Sequence, residues 1–406
     1  MIQTKLQRLD PLHRPCPLCG SRVGRNLADL HFEVFHNSPI SGSFSLVICD
    51  RCGLAFFETS STQADFNLYY QENGYYYSAS TAGSGGSSQE EILRYQAIAQ
   101  RLAAHLPHKH VALFDVGCGK GGLLAVLAQN GFQRLFGVDM LPTCVEHVRK
   151  TLGLVAETGS VSSLPFPMIR ADVLIYSHVV EHVLDLPAMM KAAFDKLNDQ
   201  GLLYVEVPDA ARYAEASDWP YQAFYLEHVN HFDAAGLTNL FTSNGFSPVS
   251  QGTYHLNPGI GLKVPCLWAV FRKGGQPTPW LDSQIEKQLL DYLLWSAEHP
   301  ALKRLEHLAE ERKPLYLWGI SQYAMLLLGT SALRRCNLRG LIDRDPYKQS
   351  QSILGLPVQS PLTLRKAEPD QAVLITALGY EEKIKNHLRE MGFPGMVWTM
   401  SGELDQ

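Results

Sequence analysis

The sequence predicts an α/β protein in three parts, and three observations predict it. Two C-x-x-C-Gly pairs lie within residues 16–53. An apolar run at 111–116 meets a glycine-rich loop and a helical pattern, and strand–helix alternation continues from there to about residue 272. A second strand–glycine–helix start appears at 315–320. The expected parts are residues 1–75, 89–275 and 282–406 of a 406-residue chain, which is too long for one ordinary core.

The first part carries Cys16-Pro17-Leu18-Cys19-Gly20 and Cys49-Asp50-Arg51-Cys52-Gly53. Two such knuckles supply Cys16, Cys19, Cys49 and Cys52 as a tetrahedral thiolate shell for zinc, with every position filled by protein and the metal therefore structural. Redox pairs or disulfides are the alternative, and a reducing cytoplasm disfavours both. Cys118, Cys144, Cys266 and Cys336 have no such partners and read as small core residues. Strands are expected at 44–49 and 54–57, then a tyrosine-rich stretch at 69–77 and a Gly/Ser/Ala hinge at 78–88.

In the second part, 92–105 has helical spacing and strands are expected at 111–116, 134–138, 153–156, 172–176, 201–207 and 262–271, in a doubly wound parallel sheet. The loop after the first strand places a helix N-terminus beside a crevice. Gly117, Gly119 and Gly122 satisfy the dinucleotide spacing, and Asp139 stands where a ribose-binding acid would. Asp115 decides against a dinucleotide, because a carboxylate at the strand end repels a pyrophosphate. It suits S-adenosylmethionine, which has no phosphate and carries an ammonium and a sulfonium. Asp115-Val116-Gly117-Cys118-Gly119-Lys120-Gly121 resembles the first motif of class I S-adenosylmethionine-dependent methyltransferases, which implies a Rossmann-like domain with Gly117, Gly119 and Gly121 at the cofactor. The acid expected after the third strand is missing at its usual place in the run 157–165, which leaves Ser160 and the Val161 backbone as candidates beside the adenine. His178 lines the cofactor pocket, and His182 either touches the acceptor or holds its own loop.

A second cluster runs Phe224-Tyr225-Leu226-Glu227-His228-Val229-Asn230-His231-Phe232. A neutral histidine is a suitable base near pH 7, a neighbouring carboxylate can set its tautomer, and Tyr225 can polarise an oxygen. The plainer alternative is a solvated loop. Beyond a long helical pattern at 282–312, strands at 315–320, 338–343 and 372–376 form the smaller third part. Its loop at 319–324 is poor in glycine, so it is structural or holds substrate rather than a dinucleotide.

The order of these features resembles the ketosugar C-methyltransferases of deoxysugar biosynthesis, over nearly the whole chain. The resemblance implies that Tyr225-Leu226-Glu227-His228 is the family's Tyr-x-Glu-His motif with His228 as base, oriented by Glu227. It implies that His182 is the active-site histidine after the fourth strand, and that Tyr76 or Tyr77 binds substrate. It also implies a C-terminal Rossmann-like domain, a zinc module acting as a lid, and a nucleotide-linked keto-deoxysugar as acceptor. His231 departs from the pattern, where an aromatic is usual.

Composition bounds the rest. With 46% hydrophobic and 18% charged residues the chain reads as a soluble globular protein, and its net charge of −5 argues against nucleic acid or anionic membrane as partners. No apolar run approaches the roughly 18 residues of a membrane span, and the first ten residues lack a signal-peptide core, so a cytoplasmic location is expected. Two rival functions remain: an O- or N-methyltransferase on another small metabolite, and a zinc-ribbon binding protein that keeps a methyltransferase core as scaffold.

Overall fold

A computed structural model describes residue 2 and residues 4–72, 88–216, 218–256, 263–276 and 279–404. It contains three sheets. The N-terminal sheet is antiparallel and runs Thr4–Leu9, Gly24–His31, Ser43–Cys49, Ala55–Glu58 and Asn230–His231. Its last strand comes from far along the chain, inside the cluster that holds Tyr225 and His228.

The central sheet has seven strands. Numbered by their order in the chain, they lie side by side as 3-2-1-4-5-7-6. Ala112–Val116, Arg134–Asp139, Val155–Thr158, Ala171–Ser177 and Leu197–Pro208 are parallel. Val264–Lys273 runs antiparallel between the fifth strand and Phe246–Leu256. The sheet is thus mixed, which corrects the all-parallel expectation. The sequence reading missed Phe246–Leu256 because Ser, Gln, Gly, Thr and Tyr alternate there with few strong apolar residues. The dinucleotide fold orders its strands 3-2-1-4-5-6, so the inserted seventh strand sets this sheet apart from it.

The third sheet centres on the parallel strands Pro314–Trp318, Asn337–Ile342, Leu356–Gln359, Ala372–Ile375 and Met396–Thr399. The long helical pattern before it divides into Ile285–Glu298 and Pro300–Glu311, because Pro300 cannot continue the first helix and begins the second. No helix among the described residues is long and apolar enough to cross a membrane.

The N-terminal sheet is not a separate bead. Successive side chains on a strand point to opposite faces. On Ser43–Cys49 and Ala55–Glu58, Phe44, Leu46, Ile48 and Phe57 bury into one core with the C-terminal unit, while Val47, Cys49 and Phe56 bury into another with the central sheet. Phe56 and Phe57 are fully buried, each contributing about 1.5–3 kcal/mol. Arg14 fastens the same junction. Its guanidinium donates to the carbonyls of Phe57 at 3.0 Å, Val229 at 3.1 Å and Leu184 at 3.1 Å, and to Asn230 Oδ1 at 2.8 Å. The N-terminal module is thus packed into both neighbouring cores.

Candidate active site

The four expected thiols converge. Cys16 Sγ lies 3.5 Å from Cys52 Sγ, and Cys19 Sγ lies 3.5 Å from Cys49 Sγ. Zinc–sulfur bonds of about 2.3 Å in a tetrahedron place sulfurs about 3.8 Å apart, so this shell fits zinc with a slight expansion. Each knuckle closes on a left-handed glycine: Gly20 and Gly53 both have φ +72°, and their amides donate to Cys16 O and Cys49 O at 2.9 Å.

At the first strand's end, the Gly117 and Cys118 amides donate to Val138 O at 2.7 and 3.0 Å. Asp139 accepts from the Gly119 amide through Oδ2 at 2.8 Å and from the Leu141 amide through Oδ1 at 2.9 Å. It therefore braces the loop. Gly121 is the helix N-cap at φ +80°, with no side-chain cap, so the first amides of Gly122–Gln129 are not taken by a capping side chain. Asp115 is 3% exposed. Burial pushes its carboxyl up to about 7, with Arg94 opposing and Asp139 adding. Ser160 sits on the loop after the third strand, its hydroxyl 3.2 Å from Ser162 Oγ.

Arg94 was not legible in the sequence. It lies on the helix Gln89–Ala103, where an arginine resembles any surface cation. The fold turns it inward. Its Nη1 donates to Ser177 Oγ at 2.9 Å and Glu206 Oε2 at 3.2 Å, and its buried Nε has no partner among the described residues. Arg101 and the Tyr204 hydroxyl meet the other oxygen of fully buried Glu206 at 3.0 and 2.7 Å. A guanidinium with an open donor, placed near Asp115, suits the carboxylate of an amino-acid-like cofactor.

The two expected histidine clusters meet. The His182 and His228 rings lie 4.8 Å apart at 84°, and Tyr225 packs on His228 at 4.7 Å. His228 Nδ1 is buried without a hydrogen-bond partner among the described residues. Burial holds this ring well below the usual histidine range, and His182, His231 and His178 add to the effect. His178, at φ +54°, has Nδ1 3.2 Å from Glu181 Oε1 and Nε2 3.4 Å from the Tyr254 hydroxyl.

The Glu227 carboxylate lies elsewhere than expected. Its Oε1 accepts from Tyr69 at 3.1 Å and from Gln322 at 2.7 Å, and its Oε2 lies 4.0 Å from His182 Nδ1. It faces His182, so what positions His228 is ring packing and its backbone bond to Tyr225 O at 3.1 Å. Tyr76 and Tyr77 lie outside the described residues. Tyr69 and Tyr70, on the helix Gln63–Glu72, do reach the cluster, the Tyr70 hydroxyl standing 3.0 Å from His182 Nδ1. Glu181, His182 and His228 each offer a donor atom within 4.8 Å of the others, a set that could also hold a metal ion. His231 proves to be an aromatic substitute: it packs edge-on against Phe57 at 4.6 Å and stands 3.1 Å from the Tyr213 hydroxyl. A cavity of about 390 Å³ is lined by Tyr69 and Leu226 together with Met325, Tyr347 and Gln351 of the C-terminal unit.

Residues 89–251 match the family described as "Methyltransferase domain". The chain is 28% identical over 35% of its length to an uncharacterised protein of Haemophilus influenzae, 60% of which is covered. It is 32% identical over 24% of its length to a ubiquinone biosynthesis O-methyltransferase of Methylobacterium nodulans, 41% of which is covered. The chain therefore spans about half the length of these curated relatives. It is also similar to the N-methyltransferase NodS of Bradyrhizobium japonicum solved with S-adenosyl-L-homocysteine, at 15% identity and a TM-score of 0.38, over 51% of this chain and 98% of that one. The family match falls on the segment that carries the glycine loop, Asp139 and both histidine clusters, and residues 89–251 are accordingly a methyltransferase domain.

Proposed function

We propose that this protein is an S-adenosylmethionine-dependent C-methyltransferase, acting on the carbon next to a ketone in a nucleotide-linked keto-deoxysugar. The observation that carries this reading is His228: a buried ring nitrogen without a hydrogen-bond partner among the described residues, in a cluster of two further histidines, two carboxylates and tyrosines. A carbon acid next to a ketone must lose a proton before it can attack a methyl group, and a positioned base has to take that proton.

The cofactor, when bound, supplies an electrophilic methyl on a positive sulfur. Asp139 would accept from its ribose, the open Arg94 donor would meet its carboxylate, and Asp115 would face its ammonium. His228, kept neutral by burial, takes the proton at Nδ1. The buried carboxylates Glu181 and Glu227 offset the imidazolium charge that forms. His182 and the Tyr70 hydroxyl hydrogen-bond the developing enolate oxygen. The cavity beside Leu226 takes the acceptor, and the four thiolates hold structural zinc.

The test is solvent exchange. Wild-type protein with S-adenosylhomocysteine and a panel of nucleotide ketosugars in deuterated water should wash deuterium into one acceptor at the carbon beside the ketone. His228→Ala should slow both exchange and methyl transfer by about 10²–10⁴-fold while keeping cofactor affinity. Methyl transfer that survives unchanged in His228→Ala would sink the carbon reading and favour an O- or N-acceptor.

A further inference from the structure

The C-terminal unit repeats the plan of the central one with a change of use. Asp343 follows the strand Asn337–Ile342 and accepts the Ile320 amide at 2.9 Å, as Asp139 accepts that of Gly119. The crevice between them is filled, however. Gly319, at φ +100°, is pressed against Ala377, and a Cβ at 319 would stand 2.5 Å from Ala377 Cβ. The helix Gln322–Thr330 carries its own cap, the Ser321 hydroxyl, 3.2 Å from the Ala324 amide. Lys348 Nζ is engaged by Asp343 at 3.1 Å. A phosphate would find the helix end capped and the nearby cation paired.

The first residue of that helix reaches the active site instead. Gln322 Oε1 accepts the Leu226 amide at 2.9 Å, and Gln322 Nε2 donates to Glu227 Oε1 at 2.7 Å. One side-chain amide thus grips two successive residues between Tyr225 and His228. The helix itself is anchored. Gly329 lies so close to the N-terminal sheet that a Cβ there would stand 2.0 Å from the His31 carbonyl oxygen. The Glu33 amide donates to Met325 O at 2.9 Å, and Leu326, Leu327 and Leu328 are fully buried. Sliding the helix would break all of these contacts together.

We propose that Gln322 is a positioning residue for the reacting loop, and that the C-terminal unit serves as a clamp on that loop in place of binding a nucleotide at its own glycine turn. The amide oxygen holds the loop backbone. The amide nitrogen fixes the Glu227 carboxylate opposite His182. The proposal rests on the reading that this loop carries the base.

Two variants separate the two halves of the amide. Gln322→Leu removes donor and acceptor, whereas Gln322→Glu keeps an acceptor for the Leu226 amide and loses the donor to Glu227. Hydrogen–deuterium exchange followed by mass spectrometry, on full-length protein with zinc, needs no acceptor. In Gln322→Leu the Leu226 amide should exchange about three- to tenfold faster than in wild type, and in Gln322→Glu it should stay near wild type. Turnover of whichever ketosugar the wild type methylates should fall about ten- to a hundredfold in both variants, with KM for S-adenosylmethionine unchanged. Unchanged exchange at Leu226 in Gln322→Leu, or wild-type turnover in Gln322→Glu, would overturn the proposal. So would a KM for the cofactor that rises in step with the loss of kcat, the mark of general damage. If wild type methylates no ketosugar, the C-methylation reading fails, and the exchange measurement still decides for or against the clamp.

Discussion

Replacing Asp115 by Asn tests the electrostatics of the cofactor crevice. In the structure this carboxyl is buried at the end of the first strand and titrates near neutrality, at about 7. Burial is the main cause, since it penalises the charged form; Arg94 pulls the other way and Asp139 reinforces it. A ligand carrying an ammonium and a sulfonium favours the ionised carboxylate. Binding at pH 7 should therefore draw the group into its charged form and release about half a proton. The sign follows. The ionised form binds, so affinity rises with pH as the ionised fraction grows from about 0.1 at pH 6 to about 0.9 at pH 8, a gain of about tenfold. Asp115→Asn keeps the shape and removes the titration. It should bind about ten- to a hundredfold more weakly at pH 8, losing one charge-assisted contact. Its affinity should change little between pH 6 and 8. Calorimetric titration with S-adenosylmethionine, in two buffers of different ionisation enthalpy at each pH, reads both affinity and proton release. No proton release by wild type at pH 7, or the same pH slope in Asp115→Asn, would refute the reasoning and place the cofactor's charges away from Asp115.

Two further outcomes concern stability. Purified protein should contain zinc near one per chain, and Cys49→Ser should lose it, with a lower melting temperature because the same strand faces two cores; full zinc in the variant would reject the ligand set. Burial, helped by Arg14, lowers His231 to about 3. Below the unfolded value of about 6.5 the unfolded chain binds a proton that the folded one refuses, so stability falls with pH from there toward 3, by about 2 kcal/mol at pH 5. Urea unfolding at pH 7.5 and pH 5 should show that His231→Phe escapes this part of the loss, and equal losses in the two proteins would reject it.

What could be read from the sequence shares one physical property: it was local. The knuckles need two thiols on one tight turn, and the glycine loop needs backbone room within seven residues, so composition and spacing suffice. Strands such as Ala112–Val116 and Ala372–Ile375 are fully buried runs, visible as apolar stretches. Phe246–Leu256 was hidden because its alternation is mostly polar, and its place depends on the neighbouring strand Val264–Lys273.

The active-site partners are a different matter. His182 and His228 could be named singly, but their contact at 4.8 Å is made by folding. So are the use of Glu227 against His182, the tyrosines at 69 and 70, and the reach of Gln322 from the third sheet. Arg94, Tyr69, Tyr70 and Gln322 belong to residue types common on helix surfaces, and nothing in their immediate neighbours marks them. Tyr69, Tyr70 and Gln322 are brought together because the N-terminal and C-terminal sheets close a shared core around the loop, whereas Arg94 is turned inward onto Ser177 and Glu206 of the central sheet. Sequence by itself determined which loops could carry chemistry, since turn geometry and ligand type are short-range. The tertiary structure alone decided which side chains face one another there, because burial, charge and hydrogen bonding act through space between residues that the chain keeps far apart.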